Sequence, residues 1–159
     1  MIIAATGHRP EKLGGYGPEV AHQLIPLATR YFEGIKPSLI ISGMALGWDQ
    51  AVAQAAVNLK IPFVAALPDG SHGNNWPQVA YQKYQSLLRK AEQVVVVSPG
   101  PYAIWKMQKR NEWMVNRCDR LVALYNGSRG GTANCLAYAE QRGKPHDNLW
   151  EEWSAEVLG

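Results

Sequence analysis

Cysteine and phenylalanine are the scarce residues of this chain, with two of each in 159 residues. Cys118 and Cys135 show neither a spaced disulfide framework nor the Cys-x-x-Cys pattern of a metal knuckle, which argues against a disulfide scaffold and a structural zinc site. The four histidines, His8, His22, His72 and His146, are scattered too, so no metal is expected. No run of 18 apolar residues occurs, and the apolar start at residues 2–5 has no basic flank. A membrane span and a secretory signal are therefore not expected, and the reading is a cytoplasmic protein with no membrane partner.

Charge is also sparse, at 18% of residues, with a formal net charge of +3. That balance suits an anionic small ligand and falls short of the basic surface that coats nucleic acid, which is an unfavoured partner. The one excess is tryptophan, six residues against two Phe. Trp gathers where one edge of the ring is wet, at clefts and interfaces.

Short runs that are apolar throughout recur at residues 2–5, 39–41, 63–67, 94–97 and 121–125, as in strands covered on both faces. Segments long enough for three helical turns follow at 19–33, 49–59, 78–91, 103–117 and 132–142. This alternation predicts one Rossmann-like α/β domain over residues 1–159, a doubly wound, mainly parallel sheet with helices on both faces. Pro26 is expected to kink or divide the first helix. Gly34 and Gly143 read as helix C-caps, each with a proline shortly beyond. After Pro145, an edge strand and a terminal helical turn are expected.

Ligands of such sheets bind at the carboxyl ends of the strands, where strand order reverses. The loops there are rich in glycine: Gly7-His8-Arg9 after the first run, Ser42-Gly43-Met44-Ala45-Leu46-Gly47-Trp48-Asp49 after the second, Asp69-Gly70 after the third, and Asn126-Gly127-Ser128-Arg129-Gly130-Gly131-Thr132 after the fifth. Glycine-rich turns entering helices aim unpaired N–H groups at an anion, so phosphate is the natural guest. Ser42, Ser128 and Thr132 add hydroxyls, and Arg9 and Arg129 add charge. His8 reads equally as a phosphate donor or as a residue that caps its own turn.

No loop carries G-x-G-x-x-G or the Walker pattern, which disfavours ordinary dinucleotide cofactors and ATP hydrolysis. No cofactor is expected. Asp49 reads either as the N-cap of the second helix or as a ligand contact. Trp48 and Trp76 lie on rim loops and are candidates for stacking on a base. Trp105, Trp113, Trp150 and Trp153 suit core packing or contact in a homo-oligomer. The helix cations Lys83, Arg89, Lys90, Lys106, Lys109 and Arg110 read most simply as solvated faces, and both cysteines as packed residues.

The segment Ser42-Gly43-Met44-Ala45-Leu46-Gly47-Trp48-Asp49 resembles the S-G-x-A-x-G-x-D signature of the SLOG superfamily of DprA- and LOG-related Rossmannoid proteins. Thr6-Gly7-His8-Arg9-Pro10, Cys118-Asp119 and the stretch from Gly130 to Ala139 are similar to its YspA and YpsA-like branch. The resemblance implies a domain binding nucleotides or nucleotide-derived molecules at the glycine-rich rim, with Asn134 on the ligand. LOG enzymes cleave the base from nucleoside monophosphates with an Arg from an R-K-x-x-M stretch and a Glu from a P-G-G-x-G-T-x-x-E turn. Arg110 and Met114 match the first stretch; the second reads Gly130-Gly131-Thr132-Ala133-Asn134-Cys135, without the acid.

Asparagine cannot act as a general base, so a LOG-like mechanism needs a substitute carboxylate, in the order Asp49, Asp69, Glu112, Glu140. The leading expectation is a nucleotide-binding module, a sensor or sequestering protein. The alternative is an N-glycosidic hydrolase of nucleoside 5′-monophosphates, with Arg110 and Asp49 catalytic. DprA-like binding of single-stranded DNA ranks third.

Overall fold

The computed structural model describes residues 1–158. Six strands, β1 (Ile2–Gly7), β2 (Leu39–Ser42), β3 (Phe63–Leu67), β4 (Gln93–Val96), β5 (Arg120–Leu124) and β6 (His146–Asn148), form one parallel sheet in the order β4-β3-β2-β1-β5-β6. Between them lie α1 (Pro18–Ile35), α2 (Trp48–Leu59), α3 (Gln78–Lys90), α4 (Ile104–Arg117) and α5 (Gly131–Gln141), and the short α6 (Trp150–Trp153) follows β6. The chain winds outward from β1 to β4, then returns to β5 on the other side of β1. The reversal of strand order thus falls between β1 and β5. No helix among the described residues is long and apolar enough to cross a membrane.

The strands alternate between two cores, as a period of two requires. Ile3, Ala5, Phe63, Ala65 and Leu67 pack under α1, α2 and α3, together with Trp153. Ala4, Ile41, Val64, Ala66 and Leu121 pack under α4 and α5 with Met114, Cys118 and Cys135. The Cys118-Asp119 pair serves the sheet itself, since Cys118 is buried and Asp119 Oδ2 accepts the Ile2 N–H at 2.7 Å where β1 begins. β4 is an edge strand, and its Val94 and Val96 remain partly exposed.

Several helix details differ from the sequence reading. Pro26 does not divide α1, which runs unbroken through it. Pro26 and His22, whose carbonyl the proline deprives of a donor, are both exposed, so water can satisfy that carbonyl. Gly34 is not the cap but lies inside the last turn, and Lys36 takes the left-handed conformation at φ 52°. Gly143, at φ 70°, does close α5, and the neighbouring Lys144 N–H returns to Ala139 O at 2.9 Å.

Trp48 is the anchor of the first core. It is wholly buried at the start of α2, directly beneath Gly7, where an added Cβ would collide with the indole. Gly7→Ala is therefore expected to cost about 1–3 kcal/mol through overpacking. Urea denaturation measures this, and the loss should shrink in a Trp48→Leu background. An unchanged midpoint for the single variant would contradict the packing account.

Candidate functional site

A cavity of about 520 Å³ opens at the strand ends where the order reverses. Its walls come from the end of β1 and the turn after it (Thr6 to Lys12), from Ala45 and Asp49, from one face of α4, and from the first turn of α5. On α4 the lining residues Met107, Gln108, Arg110, Asn111 and Met114 follow helical spacing, so one stripe of that helix faces the cavity. The first turn of α5 has no side-chain cap, and Gly130 enters it at φ 141°. The N–H groups there are free for an anion.

Two side chains hold the turn before α5 in place. Asn126 Oδ1 accepts the Ser128 N–H at 2.9 Å and its hydroxyl at 2.6 Å, and the Asn126 N–H donates to His8 Nε2 at 3.0 Å. Lys12 Nζ donates to Ser128 Oγ at 2.8 Å and to Arg129 O at 3.3 Å. His8 is buried, which lowers its pKa, and its Nε2 also lies 2.8 Å from Asn126 Oδ1. The loops after β1 and β5 are thereby pinned to each other.

The floor is built around Arg110, which is 4% exposed. Its Nη1 donates to Gly43 O at 2.6 Å and to Ala66 O at 3.3 Å, and its Nε donates to Asn111 Oδ1 at 3.0 Å. Asn111 in turn donates to Gly131 O at 3.4 Å. A Cβ on Gly43 would sit 2.6 Å from Arg110 Nη1, so a side chain there would displace the guanidinium from its carbonyl partners. Burial lowers the Arg110 pKa, and the Asp49 charge opposes that shift.

Asp49 is buried in the same cavity. Its Oδ2 accepts the Ala45 N–H at 3.3 Å, while its Oδ1 has no partner among the described residues. Burial pushes its carboxyl up to about 6, against the pull of Arg110 and of the Ala45 N–H. A buried acceptor with no partner at a cavity wall is costly to leave so and calls for a donor, a water or a hydroxyl.

The expected residues separate into three groups. Gly7, His8, Arg9, Ala45, Asp49, Arg110, Gly130, Gly131, Thr132 and Asn134 line this cavity together. Asp69 and Trp76 line a second one beside it. Ser42, Gly43, Met44, Gly47 and Trp48 line neither. Ser42 Oγ is taken up by Asp49 O and the Met44 N–H, Met44 is in the core at φ 61°, and a Cβ on Gly47 would meet His8 O. Trp48 offers no exposed face for stacking, which corrects that expectation.

Asn126, Gly127, Ser128 and Arg129 shape the turn without lining the cavity, and Glu112 and Glu140 line neither cavity. Lys106 is not a solvated cation: it is buried and donates to Pro99 O at 2.9 Å and Pro101 O at 2.7 Å. Of the other tryptophans, Trp153 is core, Trp113 lies under Arg117, and Trp105 is exposed beside Ile104. Lys12, Met107, Asn111 and Thr6 were not among the expected contacts. The helical spacing of Met107, Arg110, Asn111 and Met114 is the signal that could have found the α4 members.

This arrangement, a parallel Rossmann-like sheet with a cavity at its switch point, is the DprA-type α/β architecture. The chain superposes on DNA processing protein A from Streptococcus pneumoniae with a TM-score of 0.68 at 18% identity, covering 96% of this chain and 52% of that one, about half its length. On the molybdenum cofactor carrier protein from Chlamydomonas reinhardtii the TM-score is 0.58 at 16% identity, covering 99% and 85%. At these identities the likeness is one of fold. In sequence, residues 3–149 match the YspA SLOG family, to which the chain belongs. It is 34% identical over 126 residues to the uncharacterized SPbeta prophage-derived protein YoqJ of Bacillus subtilis (strain 168), covering 69% of this chain and 73% of YoqJ.

The Asp49 environment has a measurable consequence. With an ordinary carboxyl near 3.8 and a native one at about 6, the native state binds more protons than the unfolded chain between those values. This group therefore makes stability fall as pH rises through the window, by on the order of 2–3 kcal/mol in full. Asp49→Asn removes the contribution. The difference in stability, wild type minus variant, should fall between pH 4 and pH 7 in urea titrations, and a constant difference would contradict a desolvated carboxylate.

Proposed function

We propose that the cavity between β1 and β5 binds a nucleotide or nucleotide-derived phosphorylated ligand, so that the protein acts as a sensor or sequestering module. The observation that carries this reading is the uncapped first turn of α5, which opens on a cavity that also holds Arg9, Lys12 and the unpartnered oxygen of Asp49. The phosphate goes to the Gly130-Gly131-Thr132 amides and the two cations, since anions favour helix N-termini and charge-assisted donors. Asp49 accepts a ribose hydroxyl, and the apolar stripe of Met107, Met114 and Ile104 receives the base. A cavity of this size matches a small ligand. Among proteins of this fold one is a DNA processing protein and another a molybdenum cofactor carrier, and the bounded cavity favours the small-ligand case.

Isothermal titration with AMP, GMP, CMP and UMP beside the parent nucleosides tests it. At least one monophosphate should bind, and its nucleoside should bind about 10-fold or more weakly. Arg9→Ala should weaken the monophosphate by a similar factor and leave the nucleoside unchanged. Equal affinity for nucleoside and monophosphate would overturn the phosphate assignment.

Asp49 also favours a second reading, hydrolysis of the N-glycosidic bond. Its unpartnered oxygen can accept a proton from a water that attacks C1′ as the C1′–N bond breaks, and that proton passes to the departing base, leaving ribose 5-phosphate. Chromatography of monophosphate incubations would then show free base, reduced about 100-fold or more by Asp49→Asn. Binding without release of base by the wild-type protein eliminates this reading and leaves the module.

A further inference from the structure

The cavity just assigned has a neighbour of nearly the same volume, about 490 Å³, formed by the loop between β3 and α3. The two are joined through Arg9, Ala45, Tyr102 and Met107, each of which lines both. Arg9 is exposed at this neck, and its charge is felt both by Asp49 in the first cavity and by His72 in the second. A cation placed between two clefts is placed for the link between two halves of a ligand.

The second cavity differs in chemistry from the first. Its aromatic wall includes His72 and Trp76, which meet edge to face with ring centroids 5.0 Å apart, and the buried Tyr84 backs Trp76 at 5.1 Å. His72 Nε2 faces Met44 O at 3.1 Å and must donate to it, so in the neutral ring Nδ1 is an acceptor. Burial drives the His72 pKa down to about 4, which keeps the ring neutral at pH 7.

Asp69 is 2% exposed, and its Oδ1 accepts both the N–H and the hydroxyl of Ser71, at 2.8 and 2.7 Å. That leaves Oδ2 with no donor among the described residues. A buried carboxylate repels phosphate, an acceptor imidazole nitrogen offers it no donor, and both favour a ring that carries hydroxyl or N–H donors.

We infer that the ligand is two-headed: a nucleoside diphosphate whose distal phosphate is esterified to a second polar ring, which sits against Trp76 with a donor to Asp69. Arg9 then meets the phosphate bridge. This rests on the nucleotide reading of the first cavity and adds the class of ligand to it. The second ring is either another nucleoside or a hexose; both offer an apolar face with flanking hydroxyls.

Isothermal titration compares AMP, GMP, CMP and UMP with the matching symmetrical dinucleoside 5′,5′-diphosphates and with UDP- and GDP-hexoses, on wild type, Asp69→Asn and Trp76→Ala. A two-headed ligand should bind at least about tenfold more tightly than its monophosphate. Whether the dinucleoside or the hexose conjugate shows the gain names the ring. Both variants should lose that gain and keep the wild-type affinity for the monophosphate, which also shows that they fold. Binding of the monophosphate with no gain from the second ring, or a gain that both variants retain, would overturn the two-headed ligand alone. Absence of binding by every probe would overturn it together with the nucleotide reading.

Discussion

The buried guanidinium of Arg110 is the contact on which the rest of the site depends. Through Gly43 O it holds the loop after β2, through Ala66 O the end of β3, and through Asn111 the start of α5. Three segments from separate parts of the chain are thus tied to one side chain on α4. Burying an arginine costs several kcal/mol unless its donors are satisfied and a counter-charge is near. Here two carbonyls and the Asn111 oxygen meet the Nε and Nη1 donors, and the Asp49 carboxylate supplies the opposing charge. The need for close contact also explains why Gly43 carries no side chain.

That framework gives the cavity a fixed floor, and the roof is fixed separately. His8 ties the β1 loop to Asn126, and Lys12 ties it to Ser128 and Arg129, so the two loops that flank the switch point are bound to each other. Groups held in this way lose little freedom when a ligand arrives, and more of the contact energy appears as affinity. The signature residues divide along the same line. Ser42, Gly43 and Gly47 shape a tight loop, while Ala45 and Asp49, from the same segment, line the cavity.

Much of the architecture was legible because fully covered parallel strands are written as continuous apolar runs, and each was followed by a helix with recognisable ends. The rim at the strand ends was expected, but which two strands flank the cavity depends on a strand order that those units alone do not give. What could not be read was direction. Trp48 sits on a rim loop in sequence, yet its side chain points into the core under Gly7, and a single residue in a turn carries no periodicity to reveal that. Lys106 looked like one of several helix cations until the Pro99 and Pro101 carbonyls folded over it. Gly34 followed the rule for helix caps, but Lys36 adopted the left-handed turn two residues later. Lys12 was invisible because its partner Ser128 is distant in the chain. Asp69 and Trp76 proved to belong together, in a second cavity that no motif announces.

The central claim is that the rim between β1 and β5 is a preformed phosphate site. Its most direct test is an amide-resolved NMR titration of the full chain with a nucleoside 5′-monophosphate. The account predicts that the largest shifts fall on Gly130, Gly131 and Thr132 and on the turn from Gly7 to Lys12, with β4 and α6 unmoved. Shifts centred on the β4 edge, or none at millimolar ligand, would contradict it.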